Sequence, residues 1–122
     1  GRIVALGDEA AAVLGDEKLI QALSAAGERV GERVWPLPLF DEYGDKLKSD
    51  VADLRNIGQG RGASTIMGGK FLQNFVPDNV PWVHIDIAGL GIIDSSRNYT
   101  PKGGTGFGVR LLVDLLRNWQ VV

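Results

Sequence analysis

Pro81-Trp82-Val83-His84-Ile85-Asp86-Ile87-Ala88-Gly89 decides the fold. Val83, Ile85 and Ile87 alternate with His84 and Asp86, the period of two that marks a strand, and the stretch closes on small residues. A second stretch, from Tyr99-Thr100-Pro101-Lys102 through Gly103-Gly104-Thr105-Gly106-Phe107-Gly108 to Val109-Arg110-Leu111-Leu112, reads as a glycine-rich loop feeding the last helix. Together they place a tight, backbone-lined surface at the carboxyl end of a strand, where open α/β sheets bind ligands.

Working outward, Ile3 to Leu6 is a short apolar run, as in a strand covered on both faces. Asp16 opens a helix with Leu19, Ile20, Leu23, Ala25, Ala26 and Val30 at helical spacing, and Gly31 weakens its end. Trp35-Pro36-Leu37-Pro38-Leu39 is an extended connection, because each proline pushes the residue before it away from helix. Phe40 to Lys48 is a short polar helix candidate, broken or ended near Gly44. Ala63 to Phe75 is a helix with Ile66, Met67, Phe71, Leu72 and Phe75 on its apolar side. Gly106 to Trp119 closes the chain, with Leu111, Leu112, Leu115 and Leu116 as its core face. The alternation predicts a three-layer α/β/α domain with a mixed, mostly parallel sheet.

A chain of 122 residues, 44% hydrophobic and 23% charged, is long enough for one domain with a core. A formal net charge of −2 carries no footprint for nucleic acid or an anionic membrane. The absence of cysteine excludes disulfides and thiolate chemistry. No apolar run approaches the ~18 residues that span a bilayer. Gly1-Arg2-Ile3-Val4-Ala5-Leu6-Gly7 lacks an initiator methionine and is expected to be a cut inside a domain.

Four candidate sites stand against plainer readings. Gly58-Gln59-Gly60-Arg61-Gly62-Ala63 fits the G-x-G-x-x-A variant of the dinucleotide fingerprint, and Asp86 lies near the end of a later strand where a ribose-binding acid is expected. Yet Val51 to Ile57 is too polar for the central strand that must precede such a loop, so a glycine turn before a helix is the simpler account. The glycines of 103–108 permit close backbone approach but have no Walker ending. His84 and Asp86 project to one face and could both reach an ion, but two ligands are too few. The carboxylates from Asp41 to Asp53, flanking Lys46 and Lys48, read as a solvated face.

The blocks add up to more than their parts. Val4-Ala5-Leu6-Gly7, Gly31 to Leu39, Leu47 to Gly58, His84 to Gly89 and Lys102 to Gly106 occur in an order that resembles the leucyl aminopeptidase family of the cytosolic, dinuclear-metal type. The resemblance implies the carboxyl-terminal part of an aminopeptidase catalytic domain spanning residues 1–122. The intact enzyme it implies is a cytoplasmic metalloprotease, usually hexameric, that removes amino-terminal residues from peptide substrates. Two divalent metal ions, manganese or zinc, would hold the substrate's amino group and carbonyl, activate a bridging water and stabilise the oxyanion.

The family's signature Asn-Thr-Asp-Ala-Glu-Gly-Arg occurs nowhere in this chain, and its metal and catalytic residues belong upstream. The resemblance therefore assigns no catalytic residue and no metal ligand here, and expects the segment alone to bind no metal and to be inactive. It does assign substrate-binding positions: Gly1 and Ala88 match the pocket for the substrate's first side chain. Gly91 stands where some members carry a larger apolar residue, which predicts a wider pocket. Gly68 and Gly69 stand where alanines are usual, and Leu90 to Asn98 is only loosely family-like. Two other readings are a dinucleotide-binding module on Gly58, Gly60 and Ala63, and a non-catalytic assembly domain.

Overall fold

The computed structural model describes residues 2–45, 63–93 and 103–119. In chain order the elements are α1 (Arg2–Leu6), β1 (Ala11–Gly15), α2 (Glu17–Val30), β2 (Val34–Pro36), α3 (Glu42–Asp45), α4 (Ser64–Gln73), β3 (Val83–Asp86), β4 (Ile92–Ile93), β5 (Gly103–Gly104) and α5 (Val109–Arg117).

β1 is the centre of a three-stranded sheet ordered β2-β1-β3. It pairs in parallel with β2, reached through α2, and antiparallel with β3, where Val13 faces Ile85 and Leu14 faces His84. The sheet is mixed, as expected. Ala11, Ala12, Val13 and Leu14 are fully buried, so β1 is covered on both faces. Ala11 and Val13 join Leu23 and Ala26 of α2, Val34, Leu90, and Leu111 and Leu115 of α5 in one core, with Val83 and Ile85 packed against it. On the opposite face Leu14 and His84 lie against Gly69 of α4. Helices on both faces of one sheet make the expected three layers.

Local chemistry explains α2. The Asp16 carboxylate accepts the Leu19 N–H at 3.0 Å, and Gly31 closes the helix in the left-handed conformation. Arg29 on its last turn meets Asp114 of α5 at 2.6 Å and ties the two helices at the surface. β1 ends where Asp16 N–H donates to the Trp82 carbonyl at 2.8 Å. That approach requires Gly15: at φ +138 an added Cβ would stand 2.2 Å from the Trp82 oxygen.

Several expectations are corrected. Ile3 to Leu6 is not a strand but part of α1, with Gly7 N–H bonded to the Ile3 carbonyl at 3.0 Å and Ile3 54% exposed. The strand comes one turn later, at Ala11. In α5 only Leu111 and Leu115 face the core; Leu112 and Leu116 are exposed, because each is turned about 100° from its buried neighbour. Leu72 and Phe75 of the α4 region and Ala25 of α2 are likewise exposed. Of the expected short polar helix, the described part holds α3, with residues 46–48 outside the described residues, and the proline-rich connection begins as β2. Among the described residues no helix is long and apolar enough to cross a membrane.

The two glycines of α4 differ. Among the described residues nothing lies within 4 Å of a Cβ added at Gly68, while one at Gly69 would rest 3.5 Å from His84 Cδ2 in ordinary contact. Gly68→Ala and Gly69→Ala are each predicted to stabilise the protein by about 0.5–1 kcal/mol. Urea unfolding checks this; a lower midpoint in either variant would mean that α4 is more tightly seated than these distances allow.

Candidate functional site

β3 ends in a turn anchored by several hydrogen bonds. Ile87 accepts the Leu90 N–H at 2.8 Å, closing the turn over Ala88 and Gly89. The Asp86 carboxylate accepts the Ala88 N–H at 3.0 Å, a local side-chain bond that aspartate makes readily at turns. The Ala88 carbonyl accepts from Arg2 Nε at 2.6 Å. Gly89 has φ +83, and an added Cβ would lie 2.9 Å from Ile3 Cγ1 and 3.1 Å from Arg2 Nη2, so α1 presses against the turn where only glycine fits.

Arg2 itself is 2% exposed. Its Nη1 donates to the Ala10 carbonyl at 2.5 Å, and its Nη2 is buried with no hydrogen-bond partner among the described residues. From the other side comes the glycine-rich loop. Gly103 and Gly104 form β5, which pairs with β4. Thr105 then donates its N–H to the Gly91 carbonyl at 2.9 Å and its hydroxyl to the Leu90 carbonyl at 2.5 Å.

That loop is held in turn by Glu32, 4% exposed, just beyond α2. Its carboxylate accepts the Leu111 N–H at 2.8 Å and the Gly108 N–H at 3.2 Å, with Arg110 at 3.8 Å. Gly108 has no side chain to cap α5, so a residue 76 positions away does it, placing a carboxylate at the positive end of the helix.

The predicted residues separate clearly. Ala88 sits exposed on the anchored turn and Gly91 is half-buried at its end. Gly1 lies outside the described residues; Arg2, next to it in sequence, touches Ala88. Gly58 and Gly60 also lie outside them, and Ala63 is the residue before α4, at φ +55. Because β3 runs antiparallel to β1, Asp86 stands beside the amino end of β1 rather than in the parallel unit a dinucleotide site needs. The turn is at the carboxyl end of β3, but at the amino ends of β1 and β2.

His84 stacks on Trp82 with ring centroids 6.5 Å apart, and Asp86 is engaged by Ala88. Among the described residues no group of three or more His, Asp or Glu could hold a metal ion. Of the carboxylates from Asp41 to Asp53, Asp41 is fully exposed and pairs with Lys70 at 3.3 Å; Asp50 and Asp53 lie outside the described residues. A groove of about 960 Å³ at the other end of the sheet, lined by Gly15, Asp16, Asp41, Lys70 and Trp82 among others, has Asp16 committed to capping α2. Sequence reasoning missed Arg2, Glu32 and Thr105. The available signals were a charge opening an apolar run, an acid just past the α2-ending glycine, and the one hydroxyl in a glycine run.

Residues 1–113 match the catalytic domain of the cytosol aminopeptidase family. The chain belongs to that family, as part of its catalytic domain. It is 52% identical over 118 residues to a probable cytosol aminopeptidase of Syntrophobacter fumaroxidans, covering 96% of this chain and 23% of that protein. The chain thus spans about a quarter of the length of the curated relatives it matches. The bottromycin maturation enzyme BotP superposes with a TM-score of 0.88 at 42% identity over 94% of this chain and 26% of its own, and has also been solved in complex with Mn. A mutant of tomato leucine aminopeptidase superposes with a TM-score of 0.84 at 38% identity over 95% of this chain and 22% of its own.

Removing a buried acceptor leaves the amides it served without partners. Glu32→Ala is therefore predicted to cost about 2–3 kcal/mol in urea unfolding, and Glu32→Gln less, since its amide keeps one oxygen but loses the charge. Wild-type stability in Glu32→Ala would show that water replaces the carboxylate at α5 without penalty.

Proposed function

We propose that the polypeptide carrying this chain is a metal-dependent aminopeptidase that hydrolyses amino-terminal residues from peptides. Residues 1–122 supply fold and one wall of the side-chain pocket, made by Gly1, Ala88 and Gly91. The family match supports the reaction class. The observation that carries the pocket assignment is the double anchoring of Ala88, whose N–H is held by Asp86 and whose carbonyl is held by Arg2. Fixing both flanking peptide planes fixes the direction of the methyl group between them, and that methyl is exposed. Among the described residues nothing lies within 4 Å of a Cβ added at Gly91, which supports an open end of the wall there. A wall of one methyl and two glycines selects apolar side chains by shape and desolvation, at about 1–3 kcal/mol per methylene.

Among the described residues no group of three or more His, Asp or Glu fits a metal centre. In this reading the divalent ions, two of manganese or zinc, are held by parts of the polypeptide outside residues 1–122. The manganese complex of BotP supports a divalent metal. The same reading makes the protein a cytoplasmic homo-oligomer, a hexamer, acting on peptides.

Ala88→Trp in the full-length polypeptide should lower kcat/KM for a leucyl amide at least about tenfold by filling the pocket, with metal content unchanged. Unaltered turnover would remove Ala88 from the pocket. Chelation of divalent ions should abolish hydrolysis, and added manganese or zinc should restore it; activity that survives complete metal removal would defeat the metalloenzyme reading.

A further inference from the structure

Among the described residues the guanidinium of Arg2 is a buried charge with a nitrogen that has no hydrogen-bond partner. It donates to the carbonyls of Ala10 and Ala88, and the nitrogen without a partner is Nη2. Burying a charge with a donor unsatisfied works against stability. An apolar side chain would fill the same volume at less cost. What a guanidinium adds is direction: a rigid, planar fork whose donors fix the relative positions of two acceptors. Here the acceptors are the residue leading into β1 and the exposed alanine of the turn after β3.

We propose that Arg2 is a positioning residue for selection of the substrate's amino-terminal side chain, acting through the Ala88 peptide to set how far the Ala88–Gly91 wall stands from the substrate. The inference rests on the pocket reading given above. Arg2 touches no substrate in this scheme. Its Nε holds the Ala88 carbonyl while Asp86 holds the Ala88 N–H. Arg2 Nη2 and Ile3 together leave no room beyond a hydrogen at Gly89. Without the fork, the Ala88–Gly89 peptide keeps the Asp86 and Thr105 bonds on either side but loses the one that sets its rotation. The wall then occupies a range of positions, and a pocket that selects by shape loses selectivity before it loses chemistry.

The test is a substrate series in the full-length enzyme: alanyl, leucyl and phenylalanyl amides, with kcat and KM measured separately for Arg2→Met and Arg2→Lys. Methionine fills the volume with no donors, and lysine keeps the charge and can reach one carbonyl. In Arg2→Met the ratio of kcat/KM for leucyl over alanyl amide should fall about tenfold, the size of one methylene's discrimination, and the change should sit in KM. Arg2→Lys should recover part of the ratio. A common factor across all three substrates, or no change, would overturn the proposal and leave Arg2 a structural group. If Arg2→Met does not yield folded enzyme, Arg2→Lys carries the test, and a wild-type ratio in it is the overturning result. Ala88→Trp separates the two levels. If it shifts side-chain preference while the Arg2 variants do not, only the role of Arg2 falls. If it leaves preference unaltered, the pocket reading fails with it.

Discussion

The carboxylate of Glu32 holds the amino end of α5, and much of the described structure follows from that contact. It bonds Gly108 and Leu111, which fixes where α5 begins and brings Leu111 and Leu115 onto the core beside α2. With α5 fixed, the loop before it is fixed as well, and Thr105 can reach the carbonyls of Leu90 and Gly91. The turn after β3 is thereby held from one side through a chain of contacts that starts just past α2. Arg2 holds it from the other. Two buried charges, each bonded mainly to backbone, thus frame one turn: the Glu32 carboxylate takes two amides, and the Arg2 guanidinium gives to two carbonyls while its Nη2 stays unbonded among the described residues.

The elements legible in the sequence were those with their own local chemistry. α2 announces itself through the Asp16 cap, the spacing of Leu19, Leu23 and Ala26, and the closing Gly31. β3 does so through strict alternation, and the structure keeps it: Val83 and Ile85 pack on the α5 side while His84 meets α4. Ile3 to Leu6 reads as a strand, and Ala11 to Leu14 gives no reading of its own, for one reason. Ile3-Val4-Ala5-Leu6 and Ala11-Ala12-Val13-Leu14 are both short apolar runs, and a run of four has too few residues to show a period. The more β-branched run is the helix and the alanine-rich one is the central strand, the reverse of intrinsic preference. Tertiary context decides: the fork of Arg2 fits only if α1 coils back, and small alanines let helices close on both faces of β1.

The candidate site was legible differently. Ala88 and Gly91 were reached through resemblance, since an alanine and a glycine carry no chemistry of their own. The groups that place them, Arg2, Glu32 and Thr105, act over separations of 86, 76 and 15 residues in their key bonds, and no local pattern encodes a partner that distant. The apolar stripe of Leu112 and Leu116 misled for a related reason. A helix can carry apolar residues on two faces, and periodicity does not say which face the chain itself covers.

In the proposed pocket, position and shape are assigned to different residues. A wall of one methyl and bare backbone offers an incoming side chain no polar handle, so discrimination is a matter of distance alone and amounts to about 1–3 kcal/mol per methylene. Such a margin survives only if the wall does not wander, because a misplacement of about 1 Å is enough to degrade a site's geometry. The bonds that fix the turn run to the Ala88 N–H and to the carbonyls of Ala88, Leu90 and Gly91. All are backbone groups. The side chains at 88 and 91 can therefore be exchanged, widening or narrowing the pocket, without disturbing a single anchor. Gly89 is the exception, since Ile3 and Arg2 fill the space its side chain would need. A scaffold organised this way holds its wall in place with Arg2, Asp86 and Thr105 and leaves the width of the pocket to residues 88 and 91.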